Sequence, residues 1–172
     1  VESGVAKARK WFVGQWERGV DADLVTVAKG IAGGMPLSGV VGRAEIMDSA
    51  HAGGLGGTFG GSPTAVAAAV AVMEQFEQGD WLDRAQEIGA LITERLAAMM
   101  AQFPVIGEIR GVGAMQAIEL IVPGTLDPNQ QATDALLRYC HQNGVVVLNA
   151  GTYSNVVRLL PPLSISDELL HE

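Results

Sequence analysis

Lys29 closes the apolar run Leu24-Val25-Thr26-Val27-Ala28 and precedes the turn Gly30-Ile31-Ala32-Gly33-Gly34-Met35-Pro36, with no further charge before Arg43. Lysine is costly to bury, and its ordinary course at a strand end is to extend its amine to solvent. Two features favour chemistry instead. The turn is apolar and offers the amine little polar relief, and strand ends in α/β sheets are where ligands bind. A partly desolvated amine can act as a nucleophile or form a Schiff base with a carbonyl. The loop at residues 53–61, "GGLGGTFGG", carries Thr58 at its middle and leads into Ser62-Pro63, which should open a helix. Backbone amides, a hydroxyl and a helix N-terminus together can hold a phosphate. The competing reading is a flexible surface loop, since neither GK[ST] nor G-x-G-x-x-G is present. Arg158, in "NVVRLLPP", is either a strand arginine facing solvent or a carboxylate, or a fork for a substrate carboxylate. Arg110, in "EIRGVG", sits at a strand–turn junction and is read as structural. His51, His141 and His171 lack metal-ligand spacing and the lone Cys140 completes no zinc site, so no metal is expected. G-x-S-x-G is absent.

These residues must be held by a globular scaffold. Hydrophobic residues make up 48% of the 172 and charged residues 17%, a composition that folds. The formal charge of −8 opposes binding to nucleic acid or to an anionic membrane surface. No apolar stretch approaches the ~18 residues of a spanning helix, and no signal peptide is expected. One cysteine excludes an internal disulfide framework and suits a reducing cytoplasm. Both ends are read as cuts, because the chain stops one turn into the helix that Ser166, Asp167 and Glu168 begin.

The elements follow from pattern. Residues 23–28 predict a buried strand and residues 37–44 a second. A helix is expected from Pro63 to about Gln78, ended by Gly79, and another from Asp80 with Trp81, Ala85, Ile88, Leu91, Ile92 and Leu96 on one stripe. Residues 105–122 predict two strands joined through Gly111 and Gly113. A capped helix follows over 127–144, and "VVVLNAG" and "VVRLLPPL" predict strands. Helices alternating with strands make an α/β protein. A composition shift near residue 80 divides it into 1–79 and 80–172.

The segment "DLVTVAKGIAGGMPLSGVVGRAEIMD", followed by "GGLGGTFGGSPTAVAAAVAVME" and later by "IRGVGAMQAIEL" and "VVRLLPPLSISDELL", closely resembles the class III pyridoxal-phosphate aminotransferases. The resemblance covers essentially the whole chain in the family's order and is nearest to members acting on 4-aminobutyrate. It implies an α/β fold of the aspartate-aminotransferase type (fold type I). Residues 1–79 would be the C-terminal part of the large coenzyme domain, built on a parallel sheet, and 80–172 the small C-terminal domain. It implies that Lys29 holds pyridoxal 5'-phosphate as a Schiff base and, once displaced by the substrate amine, moves the proton between substrate and coenzyme carbons. Thr58 would bind the coenzyme phosphate from the partner subunit across a dimer interface, and Arg158 would grip the α-carboxylate of glutamate or 2-oxoglutarate. Glu2 stands where the family usually has glutamine, near the coenzyme's phenolic oxygen; a carboxylate there repels a phenolate unless protonated. The aspartate that pairs with the pyridinium nitrogen would lie just upstream of Val1.

The implied reaction moves an amino group from 4-aminobutyrate to 2-oxoglutarate, giving succinic semialdehyde and glutamate, in a cytoplasmic homodimer or higher homo-oligomer. An acetylornithine, ornithine or other ω-amino-acid aminotransferase is the alternative within the family. A non-catalytic remnant or interaction module is the alternative outside it, and these 172 residues alone are expected to be inactive.

Overall fold

The β-branched run that precedes Lys29 forms β1 (Leu24–Val27), which pairs antiparallel with β2 (Gly39–Gly42), Leu24 opposite Gly42 and Val27 opposite Gly39. This is a computed structural model that describes residues 22–172, so Glu2 lies outside the described residues. By its internal contacts the chain divides into two compact units, whose described parts are residues 22–82 and Asp83–Glu172.

In the first unit, Asp23 ties the open end of the β1–β2 pair. Its carbonyl accepts from the Arg43 N–H at 3.1 Å, and its carboxylate meets Arg43 Nε at 3.1 Å. Between the strands lies one 3₁₀ turn, Lys29–Ala32, closed by Gly33 at φ 58°. The strand is not the buried parallel one expected. β1 is four residues long, alternates exposed and half-buried positions, and has an antiparallel partner. Two strands form a ribbon that cannot cover both of its own faces. After the short α1 (Ala44–Met47) and the glycine loop comes α2 (Pro63–Gln78), with Pro63 at the first helical position. Ser62 occupies the N-cap, but its hydroxyl lies 3.2 Å from the Thr64 hydroxyl and bonds no helix amide. Gly79 ends α2, its N–H donating to the Gln75 carbonyl at 3.0 Å. α2 packs on the 3₁₀ turn, where a Cβ added to Gly33 would stand 3.5 Å from Val72 Cγ2.

In the second unit, α3 (Trp81–Gln102) buries Ala85, Ile88, Ile92 and Leu96, the stripe expected from their spacing, with Leu91 half-buried beside them. It covers one face of an antiparallel sheet ordered β3 (Ile106–Val112), β4 (Met115–Leu120), β6 (Val156–Leu159), β5 (Leu148–Ala150). The β3–β4 turn is made by Gly113, at φ 54°, and Ala114; Gly111, expected in the turn, belongs to β3. α4 (Gln130–Gln142) starts three residues later than expected. Pro128 bridges to Ile121, and the Asn129 N–H donates to the Leu120 carbonyl at 3.0 Å, which keeps residues 127–129 extended. Asn129 then caps α4, its Oδ1 accepting from the Ala132 N–H at 3.0 Å. The last helix, α5 (Asp167–His171), is capped by Ser166 and held by Arg84, which donates to Asp167 at 2.7 Å and to the Ile165 carbonyl at 2.9 Å. No helix among the described residues is long and apolar enough to cross a membrane.

Candidate functional site

Lys29 takes φ 57°, in the left-handed region that side chains bearing a Cβ rarely enter. Such a conformation costs about 1–2 kcal/mol and persists where the surroundings over-determine it, as they often do at functional sites. Here the surroundings are the Ile31-to-Ala28 and Gly33-to-Gly30 backbone bonds of the turn and the α2 face behind it. The side chain is exposed, a departure from the partial desolvation expected of it. The turn after Lys29 is apolar as expected. A Cβ added to Gly30 would meet nothing within 4 Å.

Ala28, the residue before Lys29, lines an open cavity of about 1120 Å³ in the first unit together with Val27, Leu37, Val40, Met47, Leu55, Thr58 and Phe59. The fold thus brings the end of β1 and the glycine loop, some thirty residues apart in sequence, to one cavity wall. Thr58 faces this cavity within the same chain, whereas the resemblance implies a reach across a dimer interface. The loop turns on itself through the Gly60 N–H to the Gly57 carbonyl, 2.9 Å, and added Cβ atoms at Gly56 and Gly57 would meet nothing within 4 Å. Its backbone is therefore open to close approach by a ligand. The groups present fit pyridoxal phosphate: a lysine next in sequence to the cavity-lining Ala28 for its aldehyde, apolar walls for its ring, and a hydroxyl with loop amides for its phosphate.

In the second unit Arg158 lies on β6 opposite Ala117 of β4 on one side and Leu148 of β5 on the other. It is half-buried, and no carboxylate among the described residues pairs with it. Arg110, on β3, faces the same Ala117 from the far side and is ion-paired with both Glu108 and Glu119. Hydrogen bonds from Arg110 and then Asn155 hold the Glu119 carboxyl below the usual glutamate range. Burial works to lower the Arg110 guanidinium, and the two carboxylates outweigh it, leaving it raised. Asn155 is 1% exposed, donating from Nδ2 to Glu119 Oε1 at 3.2 Å and to the Leu120 carbonyl at 3.0 Å.

Lys29 and Thr58 belong to the first unit and Arg158 to the second. The Arg110–Glu119–Asn155 network escaped the sequence reading. Its only sequence signal was a Glu two residues after Ala117 and an Asn three before Arg158, which means nothing until the strand register is known. Cys140 is half-buried against the core, and among the described residues no group of His, Cys, Asp and Glu is arranged to hold a metal.

The sequence profile of the family described as Aminotransferase class-III matches residues 1–172. The chain is 47% identical over 174 residues to the 4-aminobutyrate aminotransferase of Mycobacterium tuberculosis, covering 100% of this chain and 39% of that protein. It is 44% identical over 170 residues to the 5-aminovalerate aminotransferase of Pseudomonas putida, covering 99% of this chain and 40% of that one. Among solved structures it superposes on a phospholyase from Arthrobacter in complex with phosphoethanolamine with a TM-score of 0.90 at 29% identity, over 99% of this chain and 41% of the other. The chain therefore spans about two-fifths of the length of the curated relatives it matches. Aminotransferases of this class use pyridoxal 5'-phosphate, and the fold, the lysine at the strand end and the profile match together place the chain in the class III aminotransferases.

Proposed function

We propose that this chain provides the lysine-bearing part of the coenzyme domain, residues 1–79, and the small domain, 80–172, of an enzyme that transfers an amino group from 4-aminobutyrate to 2-oxoglutarate. The observation that carries the reading is Lys29, held at φ 57° just after β1 and next to Ala28, which lines an open cavity together with Thr58. When bound, pyridoxal phosphate supplies the aldehyde that captures an amine and the ring that takes up the electrons left when a proton departs. Lys29 Nζ would hold the coenzyme through its aldehyde and, once released by the substrate amine, would carry the proton from one carbon to the other. Thr58 Oγ1 and the loop amides hold the phosphate. Arg158 binds a carboxylate of 2-oxoglutarate or glutamate through a two-pronged hydrogen bond. A cytoplasmic homodimer belongs to the same reading.

The test is reduction of the holoenzyme with borohydride followed by peptide mapping. Lys29 should carry the coenzyme mass, and Lys29→Ala should carry none. Coenzyme fixed at another lysine would overturn the assignment. The likeness to a 5-aminovalerate aminotransferase favours a second donor, one carbon longer. Comparing kcat/KM for the two ω-amino acids separates them.

A further inference from the structure

The open face of the four-stranded sheet carries two arginines and a glutamate in a fixed relation. Ala117 on β4 is opposite Arg110 on β3 and opposite Arg158 on β6. Glu119 is two residues further along β4, on the same face, and so lies diagonal to both arginines. Diagonal neighbours stand about 7–8 Å apart, within reach of long side chains. Glu119 could therefore serve either guanidinium, and it serves Arg110. Glu108 joins the same guanidinium. The other Glu119 oxygen accepts from Asn155 Nδ2 at 3.2 Å. Asn155 is itself fixed, since the Leu120 N–H donates to its carbonyl at 2.8 Å while its Nδ2 donates to the Leu120 carbonyl. The preceding residue, Ser154, takes φ 54°, a strained turn that the chain tolerates to deliver Asn155 into the network.

Both Glu119 oxygens are thus engaged, one by Arg110 on β3 and the other by Asn155, just before β6 and three residues from Arg158. Freed of those partners, an ionised carboxylate diagonal to Arg158 would be an intramolecular ligand for it, at the millimolar or higher effective concentration of a short tether. We propose that Arg110 and Asn155 are positioning residues that hold Glu119 off Arg158 and so keep its guanidinium available for the substrate carboxylate. The inference rests on the carboxylate-binding reading of Arg158 above. It adds a built-in competitor and the two groups that restrain it.

The test uses the holoenzyme and glutarate, a five-carbon dicarboxylate without the keto group, which binds but cannot react. Its affinity is measured by titration calorimetry, with KM for 2-oxoglutarate and kcat measured alongside. Arg110→Met should weaken glutarate about ten-fold and raise KM in step, with kcat at saturation held within about two-fold. Adding Glu119→Gln to that variant should restore most of the lost affinity, and Arg110→Lys should retain it. Asn155→Ser, a milder release of the same carboxylate, should give a smaller loss that Glu119→Gln also reverses. Unchanged glutarate binding in Arg110→Met, or a loss that Glu119→Gln does not reverse, would overturn the positioning role. Arg158→Met separates the two levels. If it abolishes glutarate binding while Arg110→Met has no effect, only the positioning role falls; if it too has no effect, the carboxylate reading of Arg158 falls with it.

Discussion

Glu119 gains its importance from position. On the exposed edge of a sheet its carboxylate would be one solvated charge among the chain's many; between β3 and β6 it bridges Arg110 and Asn155. Because those bonds depress its folded-state pKa, they contribute stability above the unfolded value of about 4.3, and that stability is lost as pH falls through the lower folded value. Arg110→Met removes the hydrogen bond that does most to lower that pKa. The expected result is a gap in local stability between wild type and Arg110→Met that is widest at neutral pH and closes in acid below about pH 4. Amide exchange of β4 and β6 in the holoprotein, corrected for intrinsic rates, measures it; a gap independent of pH would show that Glu119 is not the group responsible. At this scale the sequence was legible where a residue's type clashes with its neighbours. Lys29 after five uncharged residues and Arg158 among valines and leucines could be singled out on that basis, and Thr58 amid glycines nearly so. The exposure of Lys29 was not legible, because the neighbours that would cover an amine are distant in sequence or belong to other parts of the fold.

At the scale of elements, Gly89 links α3 to the β3–β4 hairpin. A Cβ added there would press on the Gly113 carbonyl oxygen and carbon, which are backbone atoms and cannot swing aside. Alanine favours a helix over glycine by about 1 kcal/mol, but overpacking of this kind costs about 1–3 kcal/mol, and here the whole hairpin must move. Gly89→Ala should therefore lower the holoenzyme's thermal midpoint despite its better helix propensity, which differential scanning calorimetry can follow. A rise in the midpoint would mean that the hairpin yields freely. The same elements show what a pattern can and cannot carry. The α3 stripe was readable because its spacing of three and four residues is set by the helix itself. The start of α4 and the placement of Gly111 inside β3 depended on partners: the Ile121–Pro128 bridge for one, the pairing with Gln116 for the other. The apolar run 145–151 yields only the three residues of β5, because that is all β6 pairs with.

For the whole molecule, the alternation of helix and strand was enough to read a mixed α/β fold, but not the antiparallel pairing of β1, which depends on which strands are present to pair. Its cavity walls are unusually bare: Leu55 is 69% exposed, Phe59 82% and Leu24 48%, all lining one open hollow, and Val41 on β2 is 61% exposed. Apolar surface gathered in this way favours association, and among the described residues the two-stranded ribbon leaves its outer edges unpaired. The chain also spans only about two-fifths of its relatives' length. Among the described residues the Thr58 loop offers only neutral donors, and Lys29 is exposed, so the coenzyme should be held weakly and exchange with solvent freely. Residues 1–172 alone, supplied with excess pyridoxal phosphate, should therefore self-associate and should form no glutamate from 4-aminobutyrate and 2-oxoglutarate above background. Light scattering and a coupled glutamate assay on the purified chain test both halves of the expectation. Turnover comparable to that of a full-length relative, lost in Lys29→Ala, would show instead that these two units build a complete site by themselves.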